Sequence, residues 1–196
     1  MQMKIKTIAD RYFGTNSYII CEEQSGKCAV IDPAPHDVAE KVKELGFVPQ
    51  FVLLTHGHFD HICGVDAFLA EYNVPVYIHE QDAEMLCDGF KNASALLMGR
   101  DVLTDVMPKT LVDGEKISLG ELCFDVVHTP GHTQGCVCYF LGDAVFTGDT
   151  LFAFDRGRTD LYGGSEQTIV ESIQKLGPML TGKTIYPGHG PTRKFQ

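Results

Sequence analysis

The feature that most constrains this chain is a cluster of three histidines and one aspartate directly after an apolar segment. Residues 51–54 are Phe-Val-Leu-Leu, which is typical of a buried strand, and the spacing H-x-H-x-D-H follows them. Imidazole and carboxylate groups are ligands for Zn, Fe and Mn and are poor material for an apolar core. The pattern therefore predicts a metal-binding loop between a strand and a helix. Its candidate ligands are His56, His58, Asp60 and His61.

Three further segments place a His or an Asp beside a glycine at the end of a strand-like run. They contribute His132, Asp149 and His189. Each segment alone is weak evidence, because such residues are common in turns, where glycine permits tight backbone conformations. The four segments together give a ligand set too large for one tetrahedral ion and suitable for two. Two neighbouring ions can hold a hydroxide nucleophile, because a bound cation lowers the pKa of water from 15.7 to about 7.

The organisation of the chain indicates one domain over residues 1–196, with strands and helices mixed throughout. This mixture predicts a sandwich of two sheets with helices outside them. Predicted strands cover residues 28–31, 51–54, 74–78, 121–127, 135–141 and 144–146, and predicted helices cover residues 36–45, 61–72 and 165–176. The segment 83–110 is broken by glycines and a proline, which favours a loop or lid region over the site.

Charge and cysteine content limit the classes of partner and the compartment. A formal net charge of -10 and a pI near 5.1 disfavour nucleic acid and anionic membranes, which select clustered Lys and Arg. The sequence lacks a signal-like apolar stretch or a run long enough for a membrane span. Seven cysteines without C-x-x-C pairs favour a reducing compartment. We therefore expect a cytoplasmic protein with a small-molecule substrate; its oligomeric state stays open.

The succession H-x-H-x-D-H, G-H-T, G-D-T-L-F and P-G-H-G resembles the metallo-β-lactamase superfamily over residues 32–189. This resemblance implies an α/β fold, a four-layer αβ/βα sandwich, and two divalent metal ions, with zinc preferred and iron or manganese as alternatives. It implies that Asp149 bridges the ions and that Asp60 is also a catalytic residue. The first ion would be held by His56, His58 and His132, and the second by Asp60, His61 and His189.

Within the superfamily, the bridging aspartate in G-D-T-L-F is similar to that of the glyoxalase II branch, in a short form without the helical C-terminal domain. The implied reaction is hydrolysis of a thioester of the S-acylglutathione type, in which a metal polarises the carbonyl and a metal-bridging hydroxide attacks. The acyl group and the thiol carrier stay open. Arg158 falls near the place where this branch has a basic residue for the substrate's carboxylate, although an ion pair with Asp160 is an equal alternative.

Two other functions remain as alternatives. Persulfide dioxygenases share this scaffold and the G-R-T-D stretch at residues 157–160, and would use one iron held by His56, His132 and Asp149. Oxygen consumption on a persulfide would identify that reaction. A non-catalytic metal or oxygen sensor on the same fold is the other alternative, because a fold alone does not determine a function. A nuclease is disfavoured by the acidic charge.

Several other polar residues are assigned structural roles or left open. His79 and His128 end strand-like runs but do not fit the ligand pattern, so we expect structural roles or contacts to ligands. Asp32 precedes a proline and is either a partner of a ligand or a turn residue. Cys136 and Cys138 share a strand face and are expected to be buried as small apolar groups.

Overall fold

The first sheet is built from the N-terminal part of the chain. The computed structural model describes residues 3–196. The strands are β1 (Met3–Ala9), β2 (Asn16–Glu22), β3 (Lys27–Ile31), β4 (Val48–Leu53), β5 (Val76–His79) and β6 (Lys109–Leu111). They lie in chain order, with β1 to β3 antiparallel and β3 to β6 parallel. The parallel part places the carboxyl ends of β3, β4 and β5 at one edge of the sheet.

The second sheet contains the remaining strands. They are β7 (Lys116–Leu119), β8 (Leu122–His128), β9 (Val137–Leu141), β10 (Ala144–Gly148), β11 (Thr184–Pro187) and β12 (Arg193–Lys194). Their order is β12-β11-β10-β9-β8-β7, and β10 and β11 form its parallel pair. The carboxyl ends of β10 and β11 therefore meet at the same edge, and β8, antiparallel to β9, ends there too.

The helices cover the outer faces of the sheets and the connections. They are α1 (Val38–Leu45), α2 (Phe59–Ile62), α3 (Val65–Glu71), α4 (Ser94–Met98) and α5 (Glu166–Leu176), with 3₁₀ segments at Glu80–Cys87 and Gly177–Met179. The side chain of Ser165 accepts a hydrogen bond from the Thr168 amide and so begins α5. None of the helices in residues 3–196 is long and apolar enough to cross a bilayer.

Three apolar clusters hold the layers together. Tyr18 and Leu53 of the first sheet meet Phe124, Tyr139 and Phe146 of the second in the central cluster. A second cluster packs α1 and α3 on the outer face of the first sheet, and a third packs α5 on the second sheet. Each large side chain fully removed from water contributes about 1.5–3 kcal/mol. The layer order is helix, sheet, sheet, helix, so the predicted four-layer αβ/βα sandwich is confirmed.

The structure adds strands β1, β2, β6, β7, β11 and β12 to the predicted ones, and it differs from the prediction in two connecting segments. The helix predicted over residues 61–72 is divided at Gly64, which begins α3. A Cβ atom at Gly64 would lie 2.3 Å from the Pro33 carbonyl oxygen, so the close packing of the Pro33–Pro35 backbone requires glycine at this break. The segment 83–110 contains most of a 3₁₀ helix, α4 and the start of β6, so it is more ordered than a plain loop.

Candidate metal centre

All seven sequence-predicted ligands lie at one edge of the sandwich, where strands from both sheets end. His56, His58, Asp60 and His61 follow β4, and α2 begins directly after His58. The other three follow strands of the second sheet. His132 comes after β8, Asp149 directly after β10, and His189 shortly after β11. The local pattern of an apolar strand followed by a polar residue thus brings all seven side chains to the same place. We call these seven residues the metal-binding cluster.

Three overlapping groups within the cluster have ligand atoms within 4.8 Å of one another. They are His56 with His58 and His132, His56 with His61 and Asp149, and Asp60 with His61 and His189. In the first group the His58 Nδ1 and His132 Nε2 atoms are 2.8 Å apart. In the third group the His189 Nε2 atom lies 3.2 Å from Oδ2 of Asp60. These separations suit atoms that share a metal ion.

The two oxygens of Asp149 face different parts of the cluster. Its Oδ1 lies 3.4 Å from His61 Nε2, in the group that contains Asp60. Its Oδ2 lies 3.6 Å from His132 Nε2, in the group that contains His58, and 3.5 Å from His189 Nε2, in the group that contains Asp60. Asp149 therefore stands between the two outer groups and contacts both.

Buried polar atoms without partners show that the cluster fits a cation. Among residues 3–196, His56 Nε2, His58 Nε2, His61 Nε2 and Asp149 Oδ1 are buried without a hydrogen-bond partner. A buried polar atom left unpaired costs about 1–3 kcal/mol. A divalent ion would remove this cost for His56 Nε2, His61 Nε2 and Asp149 Oδ1, whereas His58 faces the cluster with its Nδ1 atom. The His and Asp donor set is suitable for divalent metals, and Zn, Fe and Mn share it.

Hydrogen bonds outside the cluster determine which ring nitrogens point into it. The Nδ1–H group of His61 donates to Asp32 Oδ2 at 2.9 Å, and that of His132 donates to the Arg158 carbonyl oxygen at 2.7 Å. The Nε2 atoms of both rings are thereby directed into the cluster. Asp32 also accepts bonds from the amide and hydroxyl of Thr55. Of the two roles left open for Asp32, the structure supports the one as partner of a ligand.

Burial and neighbouring charges keep several donors in the form that binds metals. Burial lowers the pKa of His56 well below its ordinary value and that of His58 to about 3, so both rings are neutral at pH 7. Burial acts to raise the pKa of Asp60 and Asp149, but the neighbouring histidines, His61 above all, outweigh it and lower both. Burial acts to lower the pKa of His61, but Asp149 and Asp60 outweigh it and raise this pKa well above its ordinary value. Because metal binding requires neutral imidazoles and ionised carboxylates, His61 has to release a proton when an ion binds.

Asp82 is a buried supporting residue that the sequence analysis missed. Its Oδ2 accepts hydrogen bonds from the Gly57 amide at 3.0 Å and the Thr133 hydroxyl at 2.6 Å, and its Oδ1 accepts one from the Gly135 amide at 2.7 Å. It therefore joins the loop that carries His56 to the loop that carries His132. No local motif indicates this role, because the hydrogen-bond partners lie far from Asp82 in the chain.

Five members of the metal-binding cluster form the floor of an open pocket of about 380 Å³, which we call the metal pocket; they are His58, Asp60, His132, Asp149 and His189. Above the floor, the pocket is lined by Tyr12, Phe13, Phe59, Ala93, Leu97, Arg158 and Leu161. The guanidinium of Arg158 is half-exposed and pairs with Asp160, with distances of 2.7 Å from Nε and 2.8 Å from Nη2. Arg158 thus combines the ion pair with a place in the pocket wall, and its substrate role stays a prediction.

Two further histidines and two free cysteines, all considered in the sequence analysis, lie outside the three ligand groups. His79 and His128 stack with ring centroids 4.0 Å apart. Cys136 and Cys138 are buried, and burial raises the pKa of both thiols, that of Cys138 to about 12. Neither pair joins the groups within 4.8 Å in the part of the chain that the structure describes.

We expect Gly188→Ala to reduce metal binding at least tenfold, because a Cβ at this position would lie 2.1 Å from Asp149 Oδ1 and 2.7 Å from His61 Cε1. Both ligands would have to move, and misplaced ligand shells cost roughly 10–100-fold in metal affinity. Competition with a chromophoric chelator measures the affinity. Gly177→Ala is the matched control, since a Cβ there meets nothing within 4 Å. Equal affinities in the two variants would contradict this account of the close packing.

Comparison with known proteins gives a family for this arrangement. The chain matches the Metallo-beta-lactamase superfamily over residues 10–189. It is 36% identical over 182 residues to the Bacillus subtilis protein named Probable metallo-hydrolase YqgX, covering 90% of this chain and 85% of that one. It is 35% identical over 174 residues to a hydroxyacylglutathione hydrolase of Brucella anthropi, covering 87% of this chain and 59% of that protein.

Solved structures show the same fold. The crystal structure of BLEG-1 B3 metallo-beta-lactamase superposes with a TM-score of 0.92 and 34% identity, covering 97% of this chain and 93% of that one. The structure of TTHA1623 in a di-iron-bound form superposes with a TM-score of 0.83 and 28% identity, covering 96% and 94%. Fold, ligand motifs and family match agree, and this chain belongs to the metallo-β-lactamase superfamily of metallo-hydrolases.

Proposed function

We propose that this protein is a two-metal hydrolase that cleaves thioesters of the S-acylglutathione type. The observation that carries the two-metal part is the position of Asp149, whose carboxylate lies between His132 of the first ligand group and His61 and His189 of the third. The thioester part is supported by the similarity to a hydroxyacylglutathione hydrolase. The proposed ions are zinc, with iron or manganese as alternatives, and the proposed setting is the cytoplasm, with neither nucleic acid nor membrane as a partner.

The proposed chemistry divides between the ions and the side chains around them. Two divalent ions, when bound, supply Lewis acidity toward the thioester carbonyl and lower the pKa of bound water toward 7. Asp60 lies in the wall of the metal pocket, where its Oδ2 already accepts a bond from the Thr15 hydroxyl. Asp60 is the proposed catalytic carboxylate, which orients the attacking water by accepting a hydrogen bond.

Hydrolysis of S-lactoylglutathione by protein reconstituted with Zn, Fe or Mn tests this proposal. His58→Ala is the control, because it removes one nitrogen of the first ligand group. Turnover in the parent that is lost in the variant is the expected result, and the three metals can then be ranked by kcat. Absence of turnover with every metal and every S-acylglutathione would contradict the proposal. Oxygen consumption on a persulfide would then identify a one-iron persulfide dioxygenase. Lack of turnover on any of these substrates would indicate a non-catalytic sensor.

Arg158 is proposed to bind a carboxylate of the thiol carrier. We expect Arg158→Ala to raise KM for S-lactoylglutathione about fivefold to tenfold with little change in kcat, since a half-exposed charged contact contributes about 1 kcal/mol. Steady-state kinetics measure both constants. Arg156→Ala is the matched control, because Arg156 pairs with Glu166 and lies outside the metal pocket. An unchanged KM in Arg158→Ala would remove this residue from the binding site.

β-Lactam hydrolysis is a second candidate, favoured by the similarity to BLEG-1 B3 metallo-beta-lactamase over nearly the whole chain. Both reactions begin with attack on an activated carbonyl, so the same ligand set serves either. The chromogenic cephalosporin nitrocefin distinguishes them in a single assay. A kcat/KM for nitrocefin above that for every S-acylglutathione would replace the thioester proposal with this one.

A further inference from the structure

A second cleft adjoins the metal pocket and is larger than it. Its volume is about 680 Å³, against about 380 Å³ for the metal pocket, and it shares Tyr12, Phe13 and Phe59 with that pocket. We call it the side cleft. Its other lining residues are Asp10, Ala34, His36, Cys63, Met98, Arg100, Asp101, Val102 and Leu103. A ligand bound at the metal-binding cluster can therefore extend past the three shared aromatic residues into this cleft.

One wall of the side cleft is held in place beside the third ligand group. The Asp10 carboxylate accepts hydrogen bonds from the Tyr12 and Phe13 amides, which shapes the tip of the β1–β2 hairpin. The Phe13 ring packs edge-on against Phe59 with ring centroids 5.1 Å apart. The Thr15 hydroxyl then donates to Asp60. This wall is thus connected directly to a predicted metal ligand.

The opposite wall is anchored on both sides of Leu103. The Val102 amide donates to the Ser94 hydroxyl, and the Val102 carbonyl accepts a bond from the Asn92 side chain. On the other side, the Thr104 amide donates to the Leu86 carbonyl. The cleft is therefore a preformed feature with two ordered walls, as is usual for small-molecule sites.

Apolar side chains are exposed at this concave surface. Met98 and Leu103 are 37% and 44% exposed, and the Tyr12 side chain is almost fully exposed. His36 and Arg100 are exposed polar residues among the lining groups. Apolar surface left open beside a reactive centre, with polar groups around it, is typical of a site for an apolar ligand group.

The position of the side cleft relative to Arg158 indicates which part of a thioester it takes. The Arg158 carbonyl bonds to His132, in the first ligand group, whereas the hairpin wall of the cleft bonds to Asp60, in the third. A thioester has two arms that leave the reacting carbonyl in different directions. With the carrier's carboxylate at Arg158, the acyl arm points toward Phe13 and Phe59.

We propose that the side cleft is an acyl-chain subsite and that the substrate class is thioesters with apolar, medium-length acyl chains. This inference rests on the proposed thioester hydrolysis, whose own test uses the small polar lactoyl group. A half-buried methylene raises kcat/KM about twofold, given about 0.8 kcal/mol for full burial. S-octanoylglutathione is therefore expected to exceed S-acetylglutathione about 50-fold in kcat/KM with the metal-reconstituted enzyme.

Leu103→Asp tests the subsite, with Leu96→Asp as its matched control. Leu96 is an exposed leucine of α4 at 65% exposure and does not line the side cleft. We expect the octanoyl-to-acetyl ratio of kcat/KM to fall about tenfold in Leu103→Asp and to keep the parent value in Leu96→Asp. Calorimetric binding of S-octylglutathione, a thioether that cannot be hydrolysed, should weaken at least tenfold in Leu103→Asp alone.

The outcomes separate this inference from the proposed function. Hydrolysis of all chain lengths at equal kcat/KM would overturn the subsite and leave thioester hydrolysis standing. If no thioester is hydrolysed, calorimetry still decides. Thioether binding that is weakened by Leu103→Asp and unchanged by Leu96→Asp supports an alkyl-binding cleft. Equal binding by both variants, or binding by neither, overturns it. Thermal melting of both variants controls for folding.

Discussion

Asp149→Asn is expected to lower kcat for thioester hydrolysis about 1,000-fold or more and to reduce bound metal from two ions to one or fewer per chain. The carboxylate of Asp149 faces His61 and His132 from its two oxygens. An amide carries no charge, so it stabilises two neighbouring cations far less than the carboxylate does. The lost charge stabilisation of the transition state is worth several kcal/mol, and each loss of about 1.4 kcal/mol lowers the rate tenfold, which gives this factor. Single-turnover kinetics and metal analysis by mass spectrometry measure the two effects.

The matched control for this variant is Asp143→Asn. Asp143 is exposed in the turn between β9 and β10 and lies outside the metal-binding cluster. It should retain the parent's kcat and metal content. If Asp149→Asn kept two ions and more than a tenth of the parent's kcat, the bridging position assigned to Asp149 would be wrong, and with it the observation on which the two-metal proposal rests.

Asp82→Ala is expected to reduce the free energy of unfolding by about 3–5 kcal/mol. The change leaves the amides of Gly57 and Gly135 and the hydroxyl of Thr133 without their acceptor. Each buried group left without a partner costs about 1–3 kcal/mol of stability. Breaking a buried charged network costs a similar total of free energy. Urea unfolding of the metal-free protein measures the loss, which appears as a lower midpoint with an unchanged slope.

Glu80→Ala provides the comparison for Asp82→Ala, because Glu80 is an exposed residue of the same 3₁₀ helix. Its effect should stay within about 0.5 kcal/mol of the parent, as is usual for exposed positions. A loss below 1 kcal/mol in Asp82→Ala would mean that water replaces the carboxylate at little cost. The join between the His56 and His132 loops would then not depend on Asp82.

The meeting of the seven predicted ligands at one edge could be anticipated because each has a local signal in the sequence. Every segment of the metal-binding cluster follows an apolar run, and such runs form the strands of the two sheets. Polar residues directly after strands collect at a sheet edge wherever the strands end together. The four-layer arrangement required the family resemblance as well, since alternating strands and helices are compatible with several sandwiches.

Other features were not predictable because their cause is distant in the sequence. At the division of the 61–72 helix, Gly64 packs against the Pro33 carbonyl, which is distant in the sequence. Strand β1 is largely exposed and alternates Lys with apolar residues, so it gave a weak strand signal. The side cleft combines residues from four parts of the chain. They are the β1–β2 hairpin, the segment before α1, the loop and short helix after β4, and the segment after α4. No window of the sequence contains more than part of it.

The sequence by itself determined the donor chemistry of the site, because the capacity of an imidazole or carboxylate to bind a cation belongs to the side chain and its local spacing. Only the tertiary structure decided how those donors are supported. It directed the His61 ring through Asp32, joined two ligand loops through Asp82, and placed Arg158 in both an ion pair and a pocket wall. Hydrogen bonds and cavities depend on which distant backbone segments pack together, and that information is spread over the whole chain.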